Sequence, residues 1–62
     1  MEGGLKIRTL VVDDEQAARE ATLKALAHFD NIDIVAAVDN SAGLVEALRQ
    51  NKIDLVFLDI EM

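Results

Sequence analysis

Carboxylates stand at the ends of two apolar segments of this 62-residue chain. Asp13 and Asp14 follow a segment that ends at Val12, and Asp59 follows the apolar residues 55–58. If these segments are neighbouring parallel strands, their carboxyl ends lie at one edge of the sheet, where open α/β sheets bind ligands. Two unit charges about 4 Å apart repel by roughly 4 kcal/mol at an effective dielectric constant of about 20, so such a cluster needs a cation or protonation of a member. Oxygen ligands without nearby His or Cys favour a hard ion, Mg²⁺ or Mn²⁺.

Each acid also has an ordinary structural interpretation. Asp14 can cap a following helix, and Asp13 can be a charge that the dipole of that helix favours. Asp59 can be a strand-end residue in a solvated loop. The hypothesis of a chemical site therefore depends on the joint pattern and not on any single residue.

Hydropathy and composition predict five elements that would position these acids. Strands rich in Ile, Leu and Val are predicted over Leu5–Val12, Asp33–Val38 and Asp54–Ile60. Good helix formers predict helices from Glu15 to about Phe29 and from Asn40 or Ser41, either of which can be the cap, to about Asn51. The first helix is expected to bury a stripe at helical spacing that consists of Ala18, Ala21, Ala25 and Phe29, flanked by Leu23 and Leu26. The second helix is expected to bury Leu44, Val45, Ala47 and Leu48.

The alternation of strands and helices implies parallel strands joined by right-handed crossovers. A short sequence echo fits this arrangement, because Lys6-Ile7 stands seven residues before Asp13 and Lys52-Ile53 stands seven residues before Asp59. Two parallel strands that start and end in step would produce this echo. The consecutive apolar residues of the third strand are typical of a strand covered on both faces.

Composition excludes several classes of protein. The excess of 12 Asp+Glu over 6 Lys+Arg argues against nucleic acid binding by this segment, because phosphates require Lys and Arg. The absence of Cys excludes disulfides and thiolate metal sites, and a 52% hydrophobic content argues against disorder. The longest apolar run, Ile34–Val38, is far shorter than the ~20 residues of a membrane helix, and the N-terminus lacks the pattern of a secretory signal. We therefore expect a cytoplasmic chain that does not contact a membrane.

The pattern as a whole resembles the receiver domain of bacterial two-component response regulators. The resemblance lies in the strand 7–12 followed by Asp13-Asp14-Glu15, and in the segment from Asp54 to Met62, and it covers the chain from Leu5 onward. It implies an α/β fold, the βαβαβ half of a flavodoxin-like receiver fold, with a parallel sheet of order 2-1-3 and one helix on each face. Residues 1–62 would then be a truncated receiver domain with three strands and two helices.

The resemblance also implies a role for each acid. Asp59 would accept a phosphoryl group from a sensor histidine kinase, so that the chain is a signalling module and not an enzyme. Asp14 would bind Mg²⁺ or Mn²⁺ directly and Asp13 mainly through water, while Asp59 and the backbone carbonyl of Glu61 would be further ligands. The family supplies positive charge as a Lys after a fifth strand, with a Ser or Thr after a fourth, and neither position exists here. We therefore expect weak metal binding and poor phosphorylation of this chain alone.

A half domain would leave its third strand as an exposed apolar edge, which predicts a homodimer or higher oligomer. The alternative function is a non-catalytic, self-associating half-fold that keeps the acids as a relic. His28 is expected at the surface, in the last turn of the first helix, and Phe29 and Phe57 are expected in the core. A faint resemblance around residues 13–20 and 58–62 to regulators with a LytTR-type DNA-binding domain concerns only a parent protein.

Overall fold

A computed structural model describes residues 6–59, which form an alternating α/β unit. In chain order the elements are β1 (Ile7–Asp13), α1 (Gln16–Leu26), β2 (Ile32–Val38), α2 (Ser41–Gln50) and β3 (Leu55–Asp59). The sheet is parallel, with the order β2-β1-β3. The predicted βαβαβ arrangement with sheet order 2-1-3 is confirmed. Within residues 6–59, neither helix is long and apolar enough to cross a membrane.

The central strand β1 forms the core of the unit. Leu10 and Val12 are fully buried, and they pack against Ala47 of α2. Side chains alternate between the two faces of a strand, so Val11 and Asp13 lie on the opposite face, toward α1. The two helices therefore cover opposite faces of the sheet, as predicted.

Helix α1 is shorter than predicted and buries a different stripe. It ends at Leu26, so that Phe29 lies beyond the helix and is 57% exposed. Leu26 is buried, and the residues that are half-buried beside it are Ala18, Arg19, Thr22 and Leu23. The predicted burial of Ala21, Ala25 and Phe29 is wrong, because the face on the sheet runs through positions 18, 22 and 26 and includes the polar residue Thr22.

His28 follows α1 in a turn, and its exposed ring fits the predicted surface position but not the predicted place within the helix. Its Nδ1 atom lies 3.0 Å from the carbonyl oxygen of Lys24, to which it can donate a hydrogen bond. This contact closes the carboxyl end of the helix, where carbonyl groups lack partners within the helix.

Asn40 and not Ser41 caps helix α2. The Asn40 side-chain oxygen accepts a hydrogen bond of 2.7 Å from the backbone N–H of Gly43. Gly43 also lets the helix approach β2 closely, because a Cβ atom there would lie only 2.9 Å from the Cβ atom of Val38.

The buried face of α2 is narrower than predicted. Ala47 is buried and Leu44 is half-buried, whereas Val45 and Leu48 are 53% and 47% exposed. The predicted burial of Val45 and Leu48 is wrong, because a helix presents one stripe to a sheet and these residues flank the stripe through Leu44 and Ala47.

Strand β3 is an apolar edge strand. Leu55, Val56 and Phe57 are 36–38% exposed, and Leu58 is 59% exposed. Within residues 6–59, β3 lies against β1, and neither helix packs closely on it. The exposed apolar edge is confirmed, whereas the expectation that Phe57 lies in the core is wrong because no element of the described chain covers it.

Candidate functional site

The candidate site lies where β1 and β3 end and where the chain turns into α1. Asp13 and Asp59 are the last residues of these strands, and they are partners in the parallel register. Together with Asp14, Glu15 and Ala18 they line an open cleft of about 140 Å³. Asp13, Asp14 and Asp59 therefore lie together at the carboxyl ends of the strands. Glu61, the remaining predicted ligand, lies outside the described residues.

Asp13 is held in place by both its side chain and its main chain. It is only 3% exposed, and its Oδ1 atom accepts a hydrogen bond of 3.0 Å from the backbone N–H of Glu15. The Nη1 atom of Arg19 donates a hydrogen bond of 2.8 Å to the backbone carbonyl oxygen of Asp13. These bonds fix the turn between β1 and α1, so the Asp13 carboxylate is a rigid part of the site.

Asp14 and Asp59 are exposed at the same cleft. The capping interpretation of Asp14 is wrong, because the N-cap position of α1 is Glu15 and its side chain makes no capping hydrogen bond. The Asp14 carboxylate is therefore not used by the helix. Both side chains are open to a ligand from solvent.

The charges around the cleft are strongly unbalanced. Its lining contains three Asp and one Glu, together with Ala18. The amino end of α1 adds a partial positive charge, since unpaired backbone N–H groups point out of that end. The guanidinium of Arg19 is near the cleft, but the hydrogen bond it donates goes to a backbone carbonyl and not to a carboxylate. A cation is the ligand that this arrangement favours.

The donor set fits Mg²⁺ or Mn²⁺, because every side-chain donor in the cleft is a carboxylate oxygen. Among residues 6–59, no group of three or more His, Asp or Glu side chains is arranged so that it could hold a metal ion. Mg²⁺ commonly binds through one or two carboxylates and keeps several waters, so a partial ligand set of this kind is compatible with it.

The pattern of acids does not by itself predict that Arg19 lies at the site. Its position six residues after Asp13, at the start of a helix that follows two acids, is the sequence signal that points to it. The pattern also does not predict a role for Arg8 and Asp54, which lie at the opposite end of the strands. Their backbones are joined by a hydrogen bond from the Asp54 N–H to the Arg8 carbonyl oxygen.

The chain is similar to a known protein family and to several known proteins. A family model described as the response regulator receiver domain matches residues 9–62. A response regulatory protein of Yersinia pestis is 41% identical over 56 residues, which are 90% of this chain and 24% of that protein. The sensory transduction protein LytT of Bacillus anthracis is 38% identical over 56 residues, which are 90% of this chain and 23% of that protein.

A protein-glutamate methylesterase/protein-glutamine glutaminase of Azospirillum brasilense is 40% identical over 60 residues, or 97% of this chain and 15% of that protein. The chain thus spans 15–24% of the length of these relatives. No solved structure matches it.

Proposed function

Because this chain belongs to the response regulator receiver domain family, we propose that it accepts a phosphoryl group from a sensor histidine kinase on Asp59. The observation that supports this most strongly is the register pairing of Asp59 with Asp13 at the edge of the sheet. We assign residues 1–62 to a receiver domain, of which they contain three strands and two helices. The role is that of a signalling module.

The acids around the cleft are suited to a divalent cation, Mg²⁺ or Mn²⁺. We propose that Asp14 and Asp59 bind it directly, that Asp13 acts mainly through bound water, and that the backbone carbonyl of Glu61 is a further ligand. The burial of Asp13 and its hydrogen bond with Glu15 support the indirect role, because they limit its movement toward the cleft. When bound, the cation neutralises charge on the oxygens of a phosphoryl group in transfer.

The exposure of Asp59 supports its role as the nucleophile. Its carboxylate oxygen can approach a phosphorus atom from the open side of the cleft. A P–O bond forms to Asp59 while the P–N bond to the kinase histidine breaks, and the departing nitrogen keeps the bonding electron pair. Asp13 is buried and cannot make the same approach to phosphorus. Its role is therefore to help hold the cation beside Asp59.

Phosphorylation of this chain alone is expected to be poor. Three carboxylates and one divalent cation leave a net negative site before a negatively charged phosphoryl group arrives. The cleft lining contains no Lys or Arg among the described residues. We infer that a parent protein supplies the additional positive charge, as the family resemblance implies.

The methylesterase activity in the name of the Azospirillum brasilense relative is not part of this proposal. The match covers only 15% of that protein. The chemistry proposed for this chain needs one nucleophilic carboxylate and a cation site, and the residues proposed for both lie within residues 9–62, which the family model matches.

Self-association is a second candidate function, and β3 is the observation that favours it. Four consecutive apolar residues of β3 are exposed, and its outer edge has no partner strand within residues 6–59. Beside it lies an open groove of about 190 Å³ whose lining includes Thr22 and Phe57. A two-fold dimer that pairs β3 with β3 would bury this strand and complete its hydrogen bonds. In this function the acids would be a relic.

Titration with Mg²⁺ and beryllofluoride, a phosphoryl mimic, distinguishes the two functions. We expect a weak, Mg²⁺-dependent ¹⁹F NMR signal of bound mimic that Asp59→Asn abolishes. Asp39→Asn is the matched control, because Asp39 is an exposed acid directly after β2 at the same sheet edge, and it should leave binding unchanged. A folded wild-type chain that binds no mimic would contradict the phosphoacceptor role and favour the self-associating half-fold.

A further inference from the structure

Arg8 connects all three strands at their amino ends, on the side of the sheet away from the acid site. Its Nε atom donates a hydrogen bond of 2.6 Å to the carbonyl oxygen of Lys52, in the segment that leads into β3. Its Nη1 atom lies 4.0 Å from the Oδ2 atom of Asp33, its register partner on β2. Its backbone belongs to β1. One residue therefore bridges the beginnings of β2, β1 and β3.

Arg8 and Asp54 form a reciprocal pair of hydrogen bonds. The Arg8 backbone N–H donates to Asp54 Oδ2 at 3.1 Å, and the Asp54 backbone N–H donates to the Arg8 carbonyl oxygen at 2.7 Å. The next residues, Thr9 and Leu55, are the first register partners of β1 and β3. The pair thus lies directly at the start of the ladder that ends at Asp13 and Asp59.

The pairing of β1 with β3 continues from this start to the acids without a shift of register. Each residue from Thr9 to Asp13 pairs in step with one from Leu55 to Asp59. The ladder between β1 and β2, in contrast, shifts register between Thr9 and Leu10. The register at the beginning of β3 therefore also determines the position of Asp59 relative to Asp13.

Apart from this pair and Ile53, which packs against the core just before the strand, little in the described chain holds β3 in register. Neither helix packs closely on this strand, and its apolar side chains are exposed. Register is weakly specified in a strand that no packed face constrains. A slip by one residue would move Asp59 by about 3.3 Å and turn its side chain to the other face of the sheet.

We propose that Arg8 and Asp54 are positioning residues for the acid site. Their reciprocal hydrogen bonds fix the register of β3 on β1, and this register places Asp59 opposite Asp13. The effect is transmitted along the backbone ladder, since neither residue lies at the cleft. The consequence for metal binding rests on the function proposed above, whereas the consequence for the register does not.

The register is tested first, by amide hydrogen exchange and by interstrand NOEs of the full chain. Asp54→Ala should lower the protection of β3 amides that pair with β1 by about 2- to 10-fold, as expected for the loss of one hydrogen bond. Interstrand NOEs between residues 11 and 57 should weaken, while those between β1 and β2 should not. Asp30→Ala, which removes an exposed acid before β2, is the charge-matched control and should change neither measurement. Unchanged protection and NOEs in Asp54→Ala would overturn the proposal.

The second test separates hydrogen-bond geometry from charge and uses Mn²⁺ as the probe. Asp54→Asn loses the charge but keeps an oxygen that can accept from the Arg8 N–H, so it should retain wild-type Mn²⁺ affinity. Asp54→Glu keeps the charge but displaces the acceptor, and its affinity should fall by up to about 10-fold. Broadening of the amide signals of residues 13, 14 and 59 reports binding. These two variants test whether Asp54 positions the acid site even if Asp54→Ala does not fold.

The outcomes of the Mn²⁺ test are distinct. If Asp54→Glu retains the affinity and Asp54→Asn loses it, the residue acts through charge and the proposal is wrong. If the exchange rates change but no variant alters the affinity, Asp54 stabilises the strand without positioning the site, which also overturns it. If wild type itself binds no Mn²⁺ at the cleft, the proposed function fails, and the exchange and NOE data alone decide the register claim.

Discussion

Asp13 and Asp59 are paired in register on neighbouring parallel strands, yet their environments are opposite. Asp13 is 3% exposed and accepts a hydrogen bond from the backbone of Glu15, whereas Asp59 is exposed on the open side of the cleft. One carboxylate is therefore fixed and the other is accessible. We propose that this difference suits Asp13 to positioning and Asp59 to attack.

The hydrogen bond that Asp13 accepts should contribute to stability independently of its charge. Asp13→Asn and Asp13→Ala both remove the charge, but only Asn keeps an oxygen for the Glu15 N–H. We expect the free energy of unfolding of Asp13→Ala to be lower than that of Asp13→Asn by about 1 kcal/mol, as measured by urea denaturation. Equal stabilities of the two variants would show that this hydrogen bond contributes nothing to the turn.

The cap of α2 offers a second stability test. Asn40→Ala should lower the free energy of unfolding by about 1 kcal/mol, because the Gly43 N–H loses its acceptor. The control is Ser41→Ala at the neighbouring residue, which should change the stability by less than about 0.5 kcal/mol. A larger effect of Ser41→Ala than of Asn40→Ala would contradict the observed cap.

The strand order β2-β1-β3 could be predicted through the family resemblance, whereas the placement of the acids could be predicted because it depends on patterns along the chain. The echo of Lys6-Ile7 in Lys52-Ile53 predicts strands in step, and the observed register joins positions 46 residues apart, as in Asp13 and Asp59. Arg8 and Asp54 stand in the same relationship. Their opposite charges within the echo are a further sequence signal of paired strands.

Which helix side chains are buried could not be predicted as well, because their burial depends on how much of each helix the sheet covers. Val45 and Leu48 are apolar and correctly placed in a helix, but the described sheet reaches only the stripe through Leu44 and Ala47. The end of α1 at Leu26 likewise has no strong stop residue in the sequence. Without that end, Phe29 reads as the last member of a buried stripe.

The exposed edge should control self-association. Leu58→Lys places a charge on the most exposed apolar residue of β3 and should shift the chain toward monomer in sedimentation or light-scattering measurements at micromolar concentration. Val45→Lys is the matched control, since Val45 is similarly exposed but lies on α2. A compact wild-type monomer at these concentrations would contradict self-association, and equal dissociation by both substitutions would place the interface elsewhere.

We propose that Asp59 is a metal-dependent phosphoacceptor. The most direct test is incubation of the full chain with phosphoramidate, a small donor whose P–N bond resembles that of phosphohistidine, followed by tandem mass spectrometry. We expect slow, incomplete phosphorylation of Asp59 that requires Mg²⁺, disappears in Asp59→Asn and persists in Asp39→Asn. Phosphorylation at another residue, or phosphorylation that proceeds equally without Mg²⁺, would contradict the claim.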